Sequence, residues 1–244
     1  MQVDPRLLLI LLAFVCFLTY WVTWAGRDGI GGPGPQVKTA STGLLAVVAF
    51  TDPARSFQLI TLGLAFGALG DFALTRRSQT AFLLGMAAFV AGHLAYIAAF
   101  WLRAQTIADA MPPTAMPATA MPSTSTLAAL IALAMLLLST EVWLAPRTGA
   151  LRWPVRGYVV VIGLMGMAAL LLVPHPVTLG ATYLQIGAAL FILSDLLLAL
   201  RLFVFPTGMT AHKLSIALWP AFWLGQTLIF FGAALYWLPF ATTW

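Results

Sequence analysis

The sequence predicts an all-α membrane protein, a single polytopic unit over residues 1–244 with eight transmembrane helices. Three observations lead there. Of 244 residues 61% are hydrophobic and only 8% charged, against roughly 25% charged in soluble domains. The apolar residues fall into eight runs, which at roughly 20 residues per crossing account for about two-thirds of the chain. The 12 Lys and Arg outnumber the 7 Asp and Glu, an excess that loop residues setting membrane orientation explain without any nucleic acid. A soluble enzyme, a nucleic-acid binder and a secreted disulfide scaffold are thereby excluded. The single cysteine, Cys16, lies in an apolar run and offers neither a disulfide framework nor a thiolate metal site.

The spans fall at 5–24, 36–51, 57–75, 80–102, 125–144, 155–173, 179–203 and 213–240. The first has only Arg6 as a basic start, and Gly26-Arg27-Asp28 follows it with no small-x-small cleavage pattern, so it reads as a retained helix. The second is short and carries Lys38, Thr39, Ser41 and Thr42 in its first turns. In the third, Gly63, Gly67 and Gly70 read as close helix packing ahead of Asp71. The fourth carries His93-x-x-Tyr96. After it, the segment 104–125 repeats Met-Pro three times among Thr and Ala; such a composition cannot pack and predicts a flexible connector. Glu141 lies near the end of the fifth span, Tyr158 near the start of the sixth, Ser194-Asp195 in the seventh and Gln226 in the eighth.

Eight spans put Arg6, Arg55 and Arg103 on one side. The other side holds Arg27, Lys38, Arg76, Arg77, Arg147, Arg152, Arg156, Arg201 and Lys213. The bias favours both termini outside the cytoplasm of a bacterial plasma membrane. A faint internal repeat also shows. Leu69-Gly70-Asp71-x-x-Leu74 resembles Leu193-Ser194-Asp195-x-x-Leu198, and Leu84-Gly85, Gly92 and Tyr96 match Leu224-Gly225, Gly232 and Tyr236. Both matches are four helices apart, as in a parallel four-plus-four repeat.

An ionisable side chain in the hydrocarbon costs at least ~2.5 kcal/mol, so each demands a reason. Counted at about 1.5 Å per residue, Asp71 and Asp195 lie roughly 6 and 9 Å inside the same basic face. Glu141 and Lys38 fall at that depth too, so four ionisable groups converge. On one reading Lys38 neutralises a carboxylate and pins two helices together. On the other, a polar cavity opens to the basic face, and two carboxylates sharing it cannot both ionise easily, so one keeps its proton. His93, about 20 Å from that face by the same count, is either a helix–helix contact or a deeper member of the cavity. His175 and His212 fall in loops, and three histidines so dispersed argue against a zinc hydrolase. No G-x-S-x-G elbow is present, and Ser194 cannot form a triad by itself. Gln226 reads as a bond across helices and Tyr158 as an interfacial anchor. Arg76 and Arg77 serve topology, or hold a lipid phosphate above the aspartates.

In this order the motifs resemble those of the YhhN family, which includes the animal lysoplasmalogenases. Leu69-Gly70-Asp71, then Gly85, Phe89 and His93-x-x-Tyr96, is similar to its first signature. Tyr158-x-x-x-Ile162-x-x-Met165 resembles its sixth-helix pattern, Gly187-Ala188-x-Leu190-Phe191-x-x-Ser194-Asp195 its seventh, and Gly225-Gln226-x-Leu228-Ile229 its last. One departure is that Lys38 is followed by Thr39, where the family usually has Lys-Pro. The resemblance implies eight helices and hydrolysis of the vinyl-ether bond of a lysoplasmalogen to a fatty aldehyde and a glycerophospho-base, with a lysophospholipid and membrane lipid as partners.

That chemistry asks for what the residues offer. Protonating a vinyl ether at carbon leaves an oxocarbenium ion, to which water adds. As in glycosidases, one carboxylic acid donates the proton and one carboxylate steadies the cation and activates water. Asp71 and Asp195 are the expected pair, supported by Lys38, His93, Tyr96, Glu141, Tyr158, Ser194, Gln226, Arg76 and Arg77, with no metal or cofactor. A proton-coupled transporter of a small solute or lipid would use the same carboxylates and stays open.

Overall fold

A computed structural model of the chain describes residues 4–27, 32–51, 55–76, 78–110, 122–171 and 178–237. Among them are eight helices and no strand: α1 (Pro5–Thr23), α2 (Gly34–Phe50), α3 (Arg55–Leu74), α4 (Gln79–Ala110), α5 (Thr124–Trp143), α6 (Arg152–Leu171), α7 (Leu179–Ala199) and α8 (Gly208–Trp237). Seven of the eight are long and apolar enough to cross a bilayer, and the chain is an integral membrane protein. The exception is α2, which has 17 residues. Its polar residues are turned inward, for Lys38, Ser41 and Thr42 are all buried.

Local chemistry starts these helices where the sequence supplies a cap. Asp4 accepts from the Arg6 N–H at 2.9 Å with Pro5 in the first turn, Ser123 accepts from Thr126 at 3.1 Å, and Thr178 from Ala181 at 3.2 Å. Two ends differ from expectation. Helix α4 runs on through residues 103–110, the first part of the expected connector. Arg103-Ala104-Gln105-Thr106-Ile107-Ala108-Asp109-Ala110 contains no glycine or proline, so nothing stops the helix before the first Met-Pro pair. Residues 111–121, which hold most of the Met-Pro repeats, lie outside the described residues. At the other difference, α7 does not stop but widens into a π-helical turn, Leu200–Val204, closed by the Phe205 N–H on the Leu200 carbonyl at 2.8 Å.

Helices α1 to α4 pack in chain order. Helix α4 then packs on α6, α6 on α7 and α7 on α8, which closes back on α1, α2 and α3. Helix α5 packs on α6 and is itself almost entirely exposed. The tightest seam is α7–α8. A Cβ added at Gly187 would lie 2.8 Å from the Gly225 carbonyl oxygen, and one at Gly232 2.7 Å from the Leu184 nitrogen, so only glycine lets the two backbones meet. Helices α3 and α4 approach similarly at Gly92, whose added Cβ would lie 3.2 Å from the Gly63 carbonyl. The glycines meet in different register in the two pairs: Gly63 opposes Gly92, whereas Gly187, its counterpart in the sequence repeat, opposes Gly225.

Helix α8 carries Pro220 in its interior. Proline has no N–H to give the carbonyl four residues back, so Ile216 loses its helical donor. The indole N–H of Trp21 on α1 supplies one at 3.0 Å. One turn away the Trp219 indole donates to the Phe17 carbonyl at 3.2 Å, and Phe17 stacks on Trp223 with ring centroids 4.3 Å apart. These contacts fix α8 against α1 beside the site.

Candidate functional site

Lys38 and Asp71 would each be costly to bury alone, by several kcal/mol. They are buried together: Nζ lies 2.6 Å from Asp71 Oδ1, with side-chain exposures of 10% and 4%. The Tyr20 and Trp219 rings flank the ammonium at 5.8 and 5.2 Å, within cation–π range. Asp71 Oδ2 is buried and without a protein hydrogen-bond partner.

Asp195 meets a phenol and an imidazole instead. Its Oδ1 accepts from the Tyr158 hydroxyl at 3.0 Å, and its Oδ2 lies 3.5 Å from His93 Nε2. His93 is fully buried, with Nδ1 2.6 Å from the Phe89 carbonyl oxygen. A carbonyl only accepts, so Nδ1 carries its hydrogen. His93 Nε2 and Asp195 Oδ2 thus face each other, both buried and neither with a hydrogen-bond partner.

Asp195 also stands at a boundary. A polar chamber with about 680 Å3 of empty space, its mouth included, is lined by Lys38, Asp71, Ser194, Asp195, Arg201 and Ser215 along with aromatic neighbours. A second chamber, with about 760 Å3 of empty space including its open side, is lined mainly by apolar side chains of α4, α5, α6 and α7, among them Met86, Leu137, Ile162 and Ile192. Leu74, Phe89, Asp195 and Leu198 line both, and of these Asp195 alone bears a titratable group. Among the described residues no group of three His, Cys, Asp or Glu could hold a metal ion.

The expected residues thus divide. Lys38, Asp71, Ser194 and Asp195 share the polar chamber, Tyr158 is hydrogen-bonded to Asp195, and His93 faces it. Tyr158 is therefore more than an interfacial anchor. His93 reaches Asp195 although counting sets it deeper; the π-helical turn narrows the gap by carrying the helix on to Val204, nine residues past Asp195, about 4.5 Å more than a count from Arg201 gives. Ser194 donates its hydroxyl to the Phe191 carbonyl at 2.7 Å.

Three of the expected residues, Glu141, Tyr96 and Arg76, lie elsewhere. Glu141 does not join the cluster; its side chain, 45% exposed, accepts from Arg156 Nε at 2.9 and 3.0 Å. Helix α5 lies outside the ring, so an equal depth there is not an equal place. Tyr96 donates its hydroxyl to Gln226 Oε1 in a fully buried bond from α4 to α8, away from both chamber linings. Gln226 is thus the cross-helix bond expected, and Tyr96 belongs to it. Arg76 is exposed and lays its guanidinium over the Phe72 ring at 4.5 Å, outside the polar chamber. Arg77 and His175 lie outside the described residues, while His212 Nδ1 meets the Gly26 carbonyl at 2.7 Å. The residue that sequence reasoning misses is Arg201. Its position at the end of the Asp195 helix marks it for topology alone, and no sequence periodicity announces the π-helical turn that holds it.

The sequence profile of the YhhN family matches residues 34–233, which contain every titratable side chain of the polar chamber but Tyr20. A curated relative, lysoplasmalogenase TMEM86A of Bos taurus, is 35% identical over 153 residues, covering 60% of this chain and 55% of the relative. The chain spans about half the length of that relative. No solved structure matches.

Proposed function

The chain belongs to the YhhN family, and from that premise we propose that it hydrolyses the vinyl-ether bond of a lysoplasmalogen-type lysophospholipid. The name of the bovine relative supplies the reaction class. The observation that carries the reading to this chain is the position of Asp195, on the wall between an apolar and a polar chamber. The vinyl ether is the junction between the chain and the head group of such a lipid. With the alkenyl chain in the apolar chamber and the glycerophospho-base in the polar one, the reactive bond falls at Asp195.

In this reading Asp195 donates a proton to the alkene carbon away from the oxygen, leaving an oxocarbenium ion at the carbon bonded to oxygen. Asp71, paired with Lys38, stabilises that cation. Its unpartnered Oδ2 takes a proton from the water that adds. The hemiacetal collapses to a fatty aldehyde and the freed glycerol hydroxyl, and the proton on Asp71 returns to Asp195 through the polar chamber. The two carboxyls thus act as acid and base by virtue of their partners. In a bacterial plasma membrane, with both termini outside, the polar chamber opens toward the cytoplasm.

Purified protein in detergent releases aldehyde from a vinyl-ether lysophospholipid and none from its saturated ether analogue. Release is lost when both aspartates are changed to Asn. Solute flux across sealed vesicles, with no aldehyde formed, would overturn the reading in favour of a proton-coupled transporter.

A further inference from the structure

The chain contains ten arginines and only two lysines. One of the two, Lys213, is exposed. The other, Lys38, lines the polar chamber and is buried against Asp71. A pair that only pins two helices together is better served by arginine, whose fork matches a carboxylate and which does not lose its proton. Lysine offers what arginine does not, an amine one proton transfer away from being a nucleophile. That proton has a place to go, since Asp71 Oδ1 lies 2.6 Å from Nζ. Two buried charges are costly, so the neutral amine and acid compete with the ion pair there. The hydrolytic steps leave that amine unused as a nucleophile.

An aldehyde is the electrophile such an amine takes. The polar chamber meets the apolar one along Leu74, Phe89, Asp195 and Leu198. A fatty aldehyde with its chain in the apolar chamber turns its carbonyl carbon toward the space that Lys38 and Asp71 line. Condensation there balances in atoms and charge. Lys38 gives one proton to Asp71, and its lone pair forms the C–N bond to the carbonyl carbon. A second proton passes from nitrogen to the carbonyl oxygen. Asp71 then returns the first, and water leaves as the C=N bond forms. The imine is protonated, so it replaces the ammonium charge for charge beside Asp71. The Tyr20 and Trp219 rings that flank Nζ at 5.8 and 5.2 Å suit either cation. No oxidant or reductant is consumed, and water reverses the step.

We propose that Lys38 is a covalent aldehyde-binding site, forming a reversible imine with a long-chain fatty aldehyde. The proposal rests on the hydrolase reading for the source of that aldehyde, but its test adds the aldehyde directly and needs no turnover. The detergent-solubilised full chain is incubated with hexadecanal and cyanoborohydride, which reduces an imine to a stable secondary amine. Mass spectrometry then maps the alkylated residues. The expected result is one chain on Lys38, with labelling roughly tenfold or more above that of exposed Lys213, because the bound aldehyde is held beside the buried amine. Lys38→Arg, which keeps a cation beside Asp71, loses this label. No label on Lys38, or labelling of Lys213 that equals or exceeds it, overturns the proposal. That result is read on the wild-type chain, so it does not depend on a variant that folds. A vinyl-ether lysophospholipid supplied in place of hexadecanal separates the two readings. If hexadecanal labels Lys38 while the lysophospholipid neither labels it nor releases aldehyde, the hydrolase reading fails and the aldehyde site stands.

Discussion

Asp71 on α3 and Asp195 on α7 each receive a partner from the helix before: Lys38 reaches Asp71 from α2, and Tyr158 reaches Asp195 from α6. The partner changes from an ammonium to a phenol, and His93 on α4 faces the other oxygen of Asp195. A carboxyl beside a buried ammonium has its negative charge matched in place. One beside a phenol and an imidazole stands in a different electrostatic setting, so neighbours alone set two identical side chains apart.

Several substitutions break or sharpen that contrast. The largest effect on turnover is expected from Asp195→Asn, which removes the proton donor: aldehyde release falls by roughly 10²–10⁴-fold with the helical circular dichroism unchanged. Lys38→Met acts chiefly on stability. It leaves Asp71 a buried carboxylate without its cation, a loss of about 3–5 kcal/mol, read as a lower thermal midpoint in detergent. Adding Asp71→Asn to Lys38→Met recovers most of that midpoint without restoring activity. Tyr158→Phe takes one hydrogen bond from Asp195, for about 1–3 kcal/mol, and slows aldehyde release accordingly while sparing the Lys38–Asp71 side. Glu141→Gln marks the floor of the series. Its carboxylate is exposed and bound to Arg156 outside the chambers, so turnover and thermal midpoint stay at wild-type values.

The success of the sequence reading and its failures have one physical source. Depth in a membrane is legible, because each residue of a helix advances it by a constant rise. Counting alone therefore brings Lys38, Asp71 and Asp195 to one level. Position around the bundle is not legible. Glu141 sits at the same level on α5, but that helix packs on α6 outside the ring, and the residue pairs with Arg156 instead. Arg201 fails for a related reason, since a single π-helical turn breaks the regular repeat on which facing is computed. Tyr158 looks like an interfacial anchor until α6 is seen to face α7. The apolar chamber has no signature at all, because residues lining a cavity and residues facing lipid are drawn from the same apolar set.

The central claim is that one carboxyl delivers a proton to carbon while the other serves as the base. Hydrolysis of a vinyl-ether lysophospholipid in D2O tests it most directly, with wild type and Asp195→Asn run side by side. The account predicts an aldehyde bearing a single deuterium on the carbon next to the carbonyl, formed more slowly than the unlabelled product in H2O, and almost no product from the variant. Aldehyde without deuterium at that carbon, or a variant that makes the labelled product at the wild-type rate, would contradict it.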